Sequence, residues 1–350
     1  MSQETEQVHK RRVRYKGKYP KKFEEKYKEL QPEKYKDTIA HVIEKGNTPA
    51  GMHISIMVDE ILDFLQIQPG QTGFDATLGY GGHTKAMLEK LDGKGHLYAT
   101  DVDPEESEKT KKRLFELGFG EEILTVKLQN FCTIDEIAKE AGGFDFILAD
   151  LGVSSMQIDN PKRGFSFKVD GPLDLRLNQT KGVSAAERLD TITKEELAGM
   201  LYENSDEPYC EELAKAITDE IRRGNRIDTT TKLREVIGKT LSFLPEKERK
   251  ETVKKTCQRT FQALRIDVNQ EFEVLYEFME KLPGALKPGG RAAILTFHSG
   301  EDKLVKRALK EGFKAGIYSD YAKDVVRPSK EECMRNPRAH STKMRWAVKA

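Results

Sequence analysis

The sequence predicts an α/β protein whose parallel, doubly wound sheet is interrupted by an inserted all-helical domain. Three observations carry that prediction. Short apolar runs alternate with helix-like patterns from Phe74 to Leu151; from Gly152 to about Leu282 only amphipathic helical patterns follow; the alternation then resumes at Pro288-Gly289-Gly290 with the central-strand run Arg291 to Phe297. Repeated β-α-β order gives a parallel sheet, whose ligands sit at the carboxyl ends of the strands. The expected organisation is a basic N-terminal extension (1–50), a first part of the sheet domain (51–155), the helical insertion (156–283) and a second part of the sheet domain (284–350).

With 350 residues, 37% of them hydrophobic and 33% charged, the chain is long enough for one large or two modest globular domains with a highly charged surface. The net charge of +1 averages uneven segments and identifies no partner. Four cysteines, at positions 132, 210, 257 and 333, are scattered without a C-x-x-C pair, so neither a disulfide framework nor a zinc site is indicated. No apolar run approaches membrane-spanning length and no hydrophobic signal core opens the sequence, so a cytoplasmic protein without a membrane partner is expected.

The elements follow in order. Residues 7–23 hold eight Lys or Arg and no acid, with Tyr15, Tyr19 and Phe23 interleaved, a composition that suits phosphate contact and base stacking as well as it suits a solvated tail. From 24 to 45 the charges mix over a helix-like pattern. Ile54, Ile56, Met57, Ile61, Leu62 and Leu65 form a helix face that Pro69-Gly70 stops. Phe74 to Leu78 reads as a strand, His83 to Leu91 as a helix, His96 to Thr100 as a strand, Glu105 to Leu117 as a helix, Ile123 to Leu128 as a strand, Ile134 to Glu140 as a helix and Phe144 to Leu151 as a buried strand. In the insertion, helices are expected at Ser184–Leu189, Lys194–Tyr202, Tyr209–Arg223, Thr230–Leu241 and Phe261–Met279, with Thr193 and Glu196 at capping-box spacing. Met344 to Val348 is read as an added edge strand.

The stretch from Gln71 to Asp103 organises the rest. A strand carrying Asp75 breaks into Gly79-Tyr80-Gly81-Gly82, a helix restarts at His83, and a second strand closes on Asp101. Such a turn lets a ligand approach the backbone, the helix start offers free N–H groups, and an acid at the second strand end accepts hydrogen bonds from ribose hydroxyls. No Gly-Lys-Ser/Thr follows, which disfavours a phosphate loop, and Thr84 stands where a dinucleotide fingerprint wants glycine. S-adenosylmethionine, an adenosine cofactor without a pyrophosphate, fits better. Asp75, Asp101 and Asp150, each at a strand end, should meet at one rim.

Five blocks carry a resemblance: ATLGYGGHT (76–84), DLGVSSMQIDNPKRGFSFKVDGPLDLRLN (150–178), RTFQALRIDVNQE (259–271), FHSGEDKLVKRAL (297–309) and NPRAHSTKMR (336–345). From about His53 onward the chain resembles the bacterial 16S ribosomal RNA cytosine-N4 methyltransferases of the MraW type. The resemblance implies a Rossmann-like class I methyltransferase sheet, S-adenosylmethionine as cofactor, and ribosomal RNA or the small ribosomal subunit as partner. It implies cofactor contacts at Gly81, Gly82, His83, Asp101, Phe131, Asp150 and Gln157. The chain departs from the family pattern at Asn204-Ser205-Asp206-Glu207, at Lys255-Thr256-Cys257-Gln258-Arg259, and at Gly300 and Lys303, all outside the cofactor blocks. A paralogue with a shifted RNA target, and a non-catalytic RNA-binding assembly factor, therefore stay open as alternatives.

Methyl transfer from a sulfonium is an in-line displacement that needs alignment more than acid–base power. The amino group of cytosine is a weak nucleophile, because its lone pair is delocalised into the ring. An acceptor for one N4 hydrogen would help, and Asp150 or a carbonyl within 151–155 is placed for it. The base must be unpaired and stacked on an aromatic; Phe165 and Phe167 are candidates for that role or, equally, anchors of the insertion on the sheet. His298 and Glu301 follow the resumed strand and belong to the substrate side of the rim. No metal is called for, and a monomer and a homodimer stay equally open.

Overall fold

A computed structural model describes residues 55–350, and the basic 7–23 run, the 24–45 pattern and the rest of the N-terminal extension lie outside the described residues. The elements run α1 (Val58–Leu65), β1 (Thr72–Asp75), α2 (Gly82–Leu91), β2 (His96–Asp101), α3 (Pro104–Glu116), β3 (Leu124–Leu128), a short 3-10 turn (Phe131–Thr133), α4 (Ile134–Ala141), β4 (Phe144–Asp150) and α5 (Ser155–Asp159). Then come α6 (Ala185–Thr191), α7 (Lys194–Ser205), α8 (Cys210–Arg222), α9 (Thr230–Thr240), α10 (Glu246–Asn269), α11 (Glu271–Ala285), β5 (Leu286–Thr296), α12 (Ser299–Lys314), β6 (Tyr318–Tyr321), α13 (Lys330–Arg335) and β7 (Lys343–Lys349).

The seven strands form one sheet in the order β3-β2-β1-β4-β5-β7-β6. Strands β1 to β5 pair in parallel, and β7 runs antiparallel between β5 and β6. Met344 to Val348 is therefore not an edge: Tyr318–Tyr321 takes that place, and β7 fills the gap between it and β5. The strand order reverses between β1 and β4, the switch point at which ligands of doubly wound sheets bind.

Both faces of the sheet are covered, as expected of strands whose residues are apolar on successive positions. Phe146, Leu148, Leu97 and Ala293 meet Ile61, Leu65, Met87, Leu88, Leu91 and Leu114 from α1, α2 and α3 on one face. On the other, Phe74, Ile147, Ala149 and Ile294 meet Ile134 and Ile137 of α4, Leu275, Phe278 and Leu282 of α11, and Val305 and Leu309 of α12. Phe144, Phe146, Ile147, Leu148 and Ala149 of the central strand β4 are all fully buried. Truncating either phenylalanine to alanine costs about 3–5 kcal/mol.

A third cluster belongs to the insertion. Leu189, Leu197, Leu201, Leu213, Ile217, Leu233, Ile237, Phe261 and Leu264 pack together with Phe165, Leu173 and Leu175 of the preceding segment. The sequence reading carries one helix from Phe261 to Met279 and the insertion to 283, but the chain breaks at Gln270, whose φ is +52°. Before the break, α10 buries Phe261 and Leu264 in the helical cluster; beyond it, α11 buries Leu275 and Phe278 against the sheet.

Candidate active site

Strands β1, β2 and β4 end on Asp75, Asp101 and Asp150, and because they are parallel neighbours the three acids gather at one rim. Asp75 is only 1% exposed and accepts the Thr84 hydroxyl at 2.6 Å and the Thr77 N–H at 3.0 Å. Burial raises its pKa above the ordinary carboxylate value. Its oxygens tie the start of α2 to the end of β1, which makes it a framework group.

Asp101 is the hinge pin of the glycine turn. One carboxylate oxygen accepts the Gly79 N–H at 2.8 Å and the other the Asp103 N–H at 2.8 Å. Burial pushes its pKa up to about 6, against the lowering effect of those two donors. Gly81 caps α2 at φ +80°, and a Cβ there would stand 2.7 Å from Thr110 Cγ2. Only glycine suits both the backbone conformation and the space. Gly82 opens the helix, leaving its first N–H groups free of intrahelical partners.

His83, 8% exposed, donates Nε2–H to the Ile56 carbonyl at 2.9 Å and sets Nδ1 3.4 Å from an Asp150 oxygen. Burial pulls its pKa down, but the Asp150 carboxylate, the Ile56 carbonyl and the Asp75 carboxylate together outweigh that and raise it overall. The Asp150 N–H donates to the Thr77 hydroxyl at 2.8 Å, and the other carboxylate oxygen, Oδ1, is buried without a hydrogen-bond partner. An acceptor so placed costs free energy unless a ligand satisfies it.

Phe131 opens the 3-10 turn after β3, half-buried and edge-on to Phe278 at 5.2 Å. Gln157 stands in α5 in a capping box with Ser154, and its Nε2 donates to Asp103 at 3.1 Å. Its amide is thus occupied by protein groups on both sides. Phe165 is 9% exposed and packs inside the helical cluster, while Phe167 is half-buried and edge-on to Phe261 at 5.7 Å. Burial gives Phe165 the anchoring place and leaves Phe167 the more open ring.

His298 and Glu301 open α12 just beyond β5, 3.1 Å apart. Burial opposes ionisation of Glu301, but His298 and the Phe297 N–H at 2.9 Å hold its pKa below the usual range. Glu271 is close by, with Glu271, His298 and Glu301 ligand atoms within 4.8 Å of one another. Arg265 forks both Glu271 oxygens at 2.8 Å, and supplies the positive charge that a bound cation would otherwise bring.

Two groups escaped the sequence reading. Asp103, 1% exposed, caps α3 and accepts Arg163 at 2.6 Å, and Arg163 is itself 6% exposed. Asp103 precedes a Pro at the helix start, an ordinary capping pattern, and its second partner lies 60 residues away in the chain.

A glycine turn at the switch point, pinned by a buried strand-end carboxylate, and an unsatisfied acceptor on the same rim of this seven-stranded sheet are the arrangement of a Rossmann-like class I S-adenosylmethionine-dependent methyltransferase. The sequence model of the MraW methylase family matches residues 50–350. Ribosomal RNA small subunit methyltransferase H 1 of Agathobacter rectalis is 84% identical over 345 residues, covering 99% of each chain. The protein of the same name from Lachnoclostridium phytofermentans is 71% identical, covering 99% of this chain and 94% of its own. Ribosomal RNA small subunit methyltransferase H of Acidobacterium capsulatum is 38% identical, covering 85% of this chain and 98% of its own. The chain belongs to the MraW methylase family. Among the described residues no helix is long and apolar enough to cross a membrane.

Proposed function

We propose that the chain methylates the N4 amino group of a cytosine in 16S ribosomal RNA of the small ribosomal subunit, in the cytoplasm. The observation that carries this reading is the Asp150 carboxylate: one oxygen is steadied by His83 and the other is buried and unsatisfied. The residues present suit the cofactor. Asp101 would accept the ribose hydroxyls, the glycine turn would admit the cofactor to the backbone, and Phe131 would flank the adenine. When bound, the cofactor supplies an electrophilic methyl group on a sulfonium.

The protein's own work is alignment and proton acceptance. Asp150 Oδ1 accepts one N4 hydrogen, which frees the nitrogen lone pair from the ring, and His83 keeps the carboxylate turned to that task. Gln157 acts on the site through Asp103 rather than by reaching in. Phe167 offers the ring against which an unpaired base stacks, with Phe165 rooting the segment in the helical cluster.

The test uses purified chain, small subunits from cells lacking its gene, and labelled S-adenosylmethionine, with the digested RNA resolved by mass. Label in N4-methylcytidine is expected from the wild type. Asp150→Ala should abolish it while keeping a cooperative melt, because a carboxylate at a strand's open end is not core. A chain that binds cofactor and subunits yet transfers nothing would be an assembly factor instead.

A further inference from the structure

Beyond Asp150 the chain enters a long segment, 151–184, that leads from the rim into the helical cluster and carries Phe165 and Phe167. One carboxylate ties it to the cofactor side. Asp103 Oδ1 accepts the N–H groups of Glu105 and Glu106, and Oδ2 accepts Arg163 Nη2 at 2.6 Å and Gln157 Nε2 at 3.1 Å. The same Arg163 nitrogen donates to the Leu177 carbonyl at 2.7 Å, and the Leu177 N–H donates to Asn269 at the end of α10. On the other side the Asp103 N–H donates to Asp101, which holds Gly79. A continuous chain of hydrogen bonds thus runs from the glycine turn through Asp101, Asp103 and Arg163 to the helical insertion.

The segment is held at visible cost. Arg163 Nε is buried without an acceptor, although the residue is only 6% exposed. Leu175, fully buried, takes a left-handed φ of +64°, fixed by its N–H to the Arg163 carbonyl and its own carbonyl to Asn269. Gly164, at φ +74°, lies so close to Pro172 that a Cβ would overlap the Pro172 carbonyl. A buried pair with an unmet donor is a poor way to add stability, and strain of this kind persists where the surroundings over-determine a position.

We propose that Arg163 is a positioning residue which couples the cofactor site to the placement of the substrate segment: through Asp103, a filled ribose site fixes the segment that carries the base-stacking ring. The proposal rests on the RNA methyltransferase reading and deepens it. Two ligands that favour the same arrangement raise each other's affinity by the same factor.

The test measures binding of undermethylated small subunits with and without S-adenosylhomocysteine, and steady-state methylation, for wild type, Arg163→Met and Arg163→Lys. In the wild type, S-adenosylhomocysteine should tighten subunit binding roughly fivefold or more, the lower end of ordinary allosteric coupling. Arg163→Met should reduce that gain to near unity and lower kcat by roughly a hundredfold, the penalty of a misplacement of about 1 Å. Its affinity for S-adenosylmethionine in the absence of subunits should stay close to the wild-type value, and Arg163→Lys should recover part of both losses. A folded Arg163→Met with wild-type coupling and kcat overturns the proposal, and so does a loss confined to cofactor binding in the absence of subunits. If Arg163→Met does not fold, Gln157→Ala removes the other side-chain bond to Asp103 Oδ2 and should show the same pattern at smaller size; wild-type coupling and kcat there overturn it equally. A wild type that methylates no cytosine refutes the functional reading, whereas a wild type that methylates without coupling refutes only this inference.

Discussion

Burial and its proposed place on the cofactor's ribose pull on the ionisation of Asp101 in opposite directions. Burial raises its pKa to about 6, while ribose hydroxyls bind best to a charged acceptor. The carboxylate is ionised above that value, so cofactor affinity should fall as pH drops through 6. The stability effect has the opposite slope: with a folded pKa above the unfolded value of about 3.9, the folded state binds the extra proton between roughly pH 4 and 6, and this group's contribution to stability declines as pH rises through that window. Asp101→Ala should weaken S-adenosylmethionine roughly tenfold or more, the loss of a charge-assisted bond of about 1.5–3 kcal/mol, and should remove the pH step. Calorimetric titrations of both proteins between about pH 5 and 8 check this; unchanged affinity in a folded variant would remove Asp101 from the cofactor site. The place of Asp101 at the rim is readable in sequence because an acid that closes a parallel strand falls at the strand's carboxyl end, beside the glycine turn. Asp103 looks like a helix cap and is one; its bond to Arg163 depends on how the segment after β4 folds back, which no local pattern encodes.

At the scale of elements, the glycine turn is where backbone conformation and packing against α3 meet. Gly81→Ala would place an L residue at φ +80° and a Cβ 2.7 Å from Thr110 Cγ2. The left-handed conformation alone costs about 1–2 kcal/mol. A lowered melting temperature together with weakened cofactor binding is expected, and a variant that melts and binds as the wild type would show that the turn tolerates a side chain. The alternating strands and helices up to β4 were legible because strongly periodic apolar residues fill both faces of the sheet. Elsewhere the pattern failed for physical reasons. The first ten residues of α10, Glu246 to Lys255, are mostly charged, so no apolar face marks the helix in sequence before Phe261. β6 is the four-residue run Tyr-Ser-Asp-Tyr, half of it exposed, and without it β7 looked like the edge. The break at Gln270 has neither Gly nor Pro to announce it; a glutamine takes the left-handed turn that divides a helix of the insertion from a helix of the sheet.

At the scale of the molecule, two sheet-facing clusters build the rim and a third, in the insertion, stands beside it. The rim's three aspartates were foreseeable because parallel topology brings strand ends together, and the candidate base-stacking ring was narrowed to Phe167 only by the packing of Phe165. The N-terminal run 7–23, outside the described residues, carries eight basic residues and no acid. Deleting residues 1–23 should weaken RNA binding and flatten its salt dependence, by a slope of roughly 0.7 for each phosphate of single-stranded RNA that the segment neutralises, while cofactor affinity and melting temperature stay nearly constant. Because binding to phosphates carries no sequence information, the methylated position should not change. A truncated protein with the full-length salt slope would mark the segment as a solvated tail.

The most direct measurement maps N4-methylcytidine in small-subunit ribosomal RNA from cells with the gene, without it, and with the gene restored as Asp150→Ala. One cytosine methylated in the first and unmodified in the other two is the predicted result. An identical methylation map in all three would contradict it.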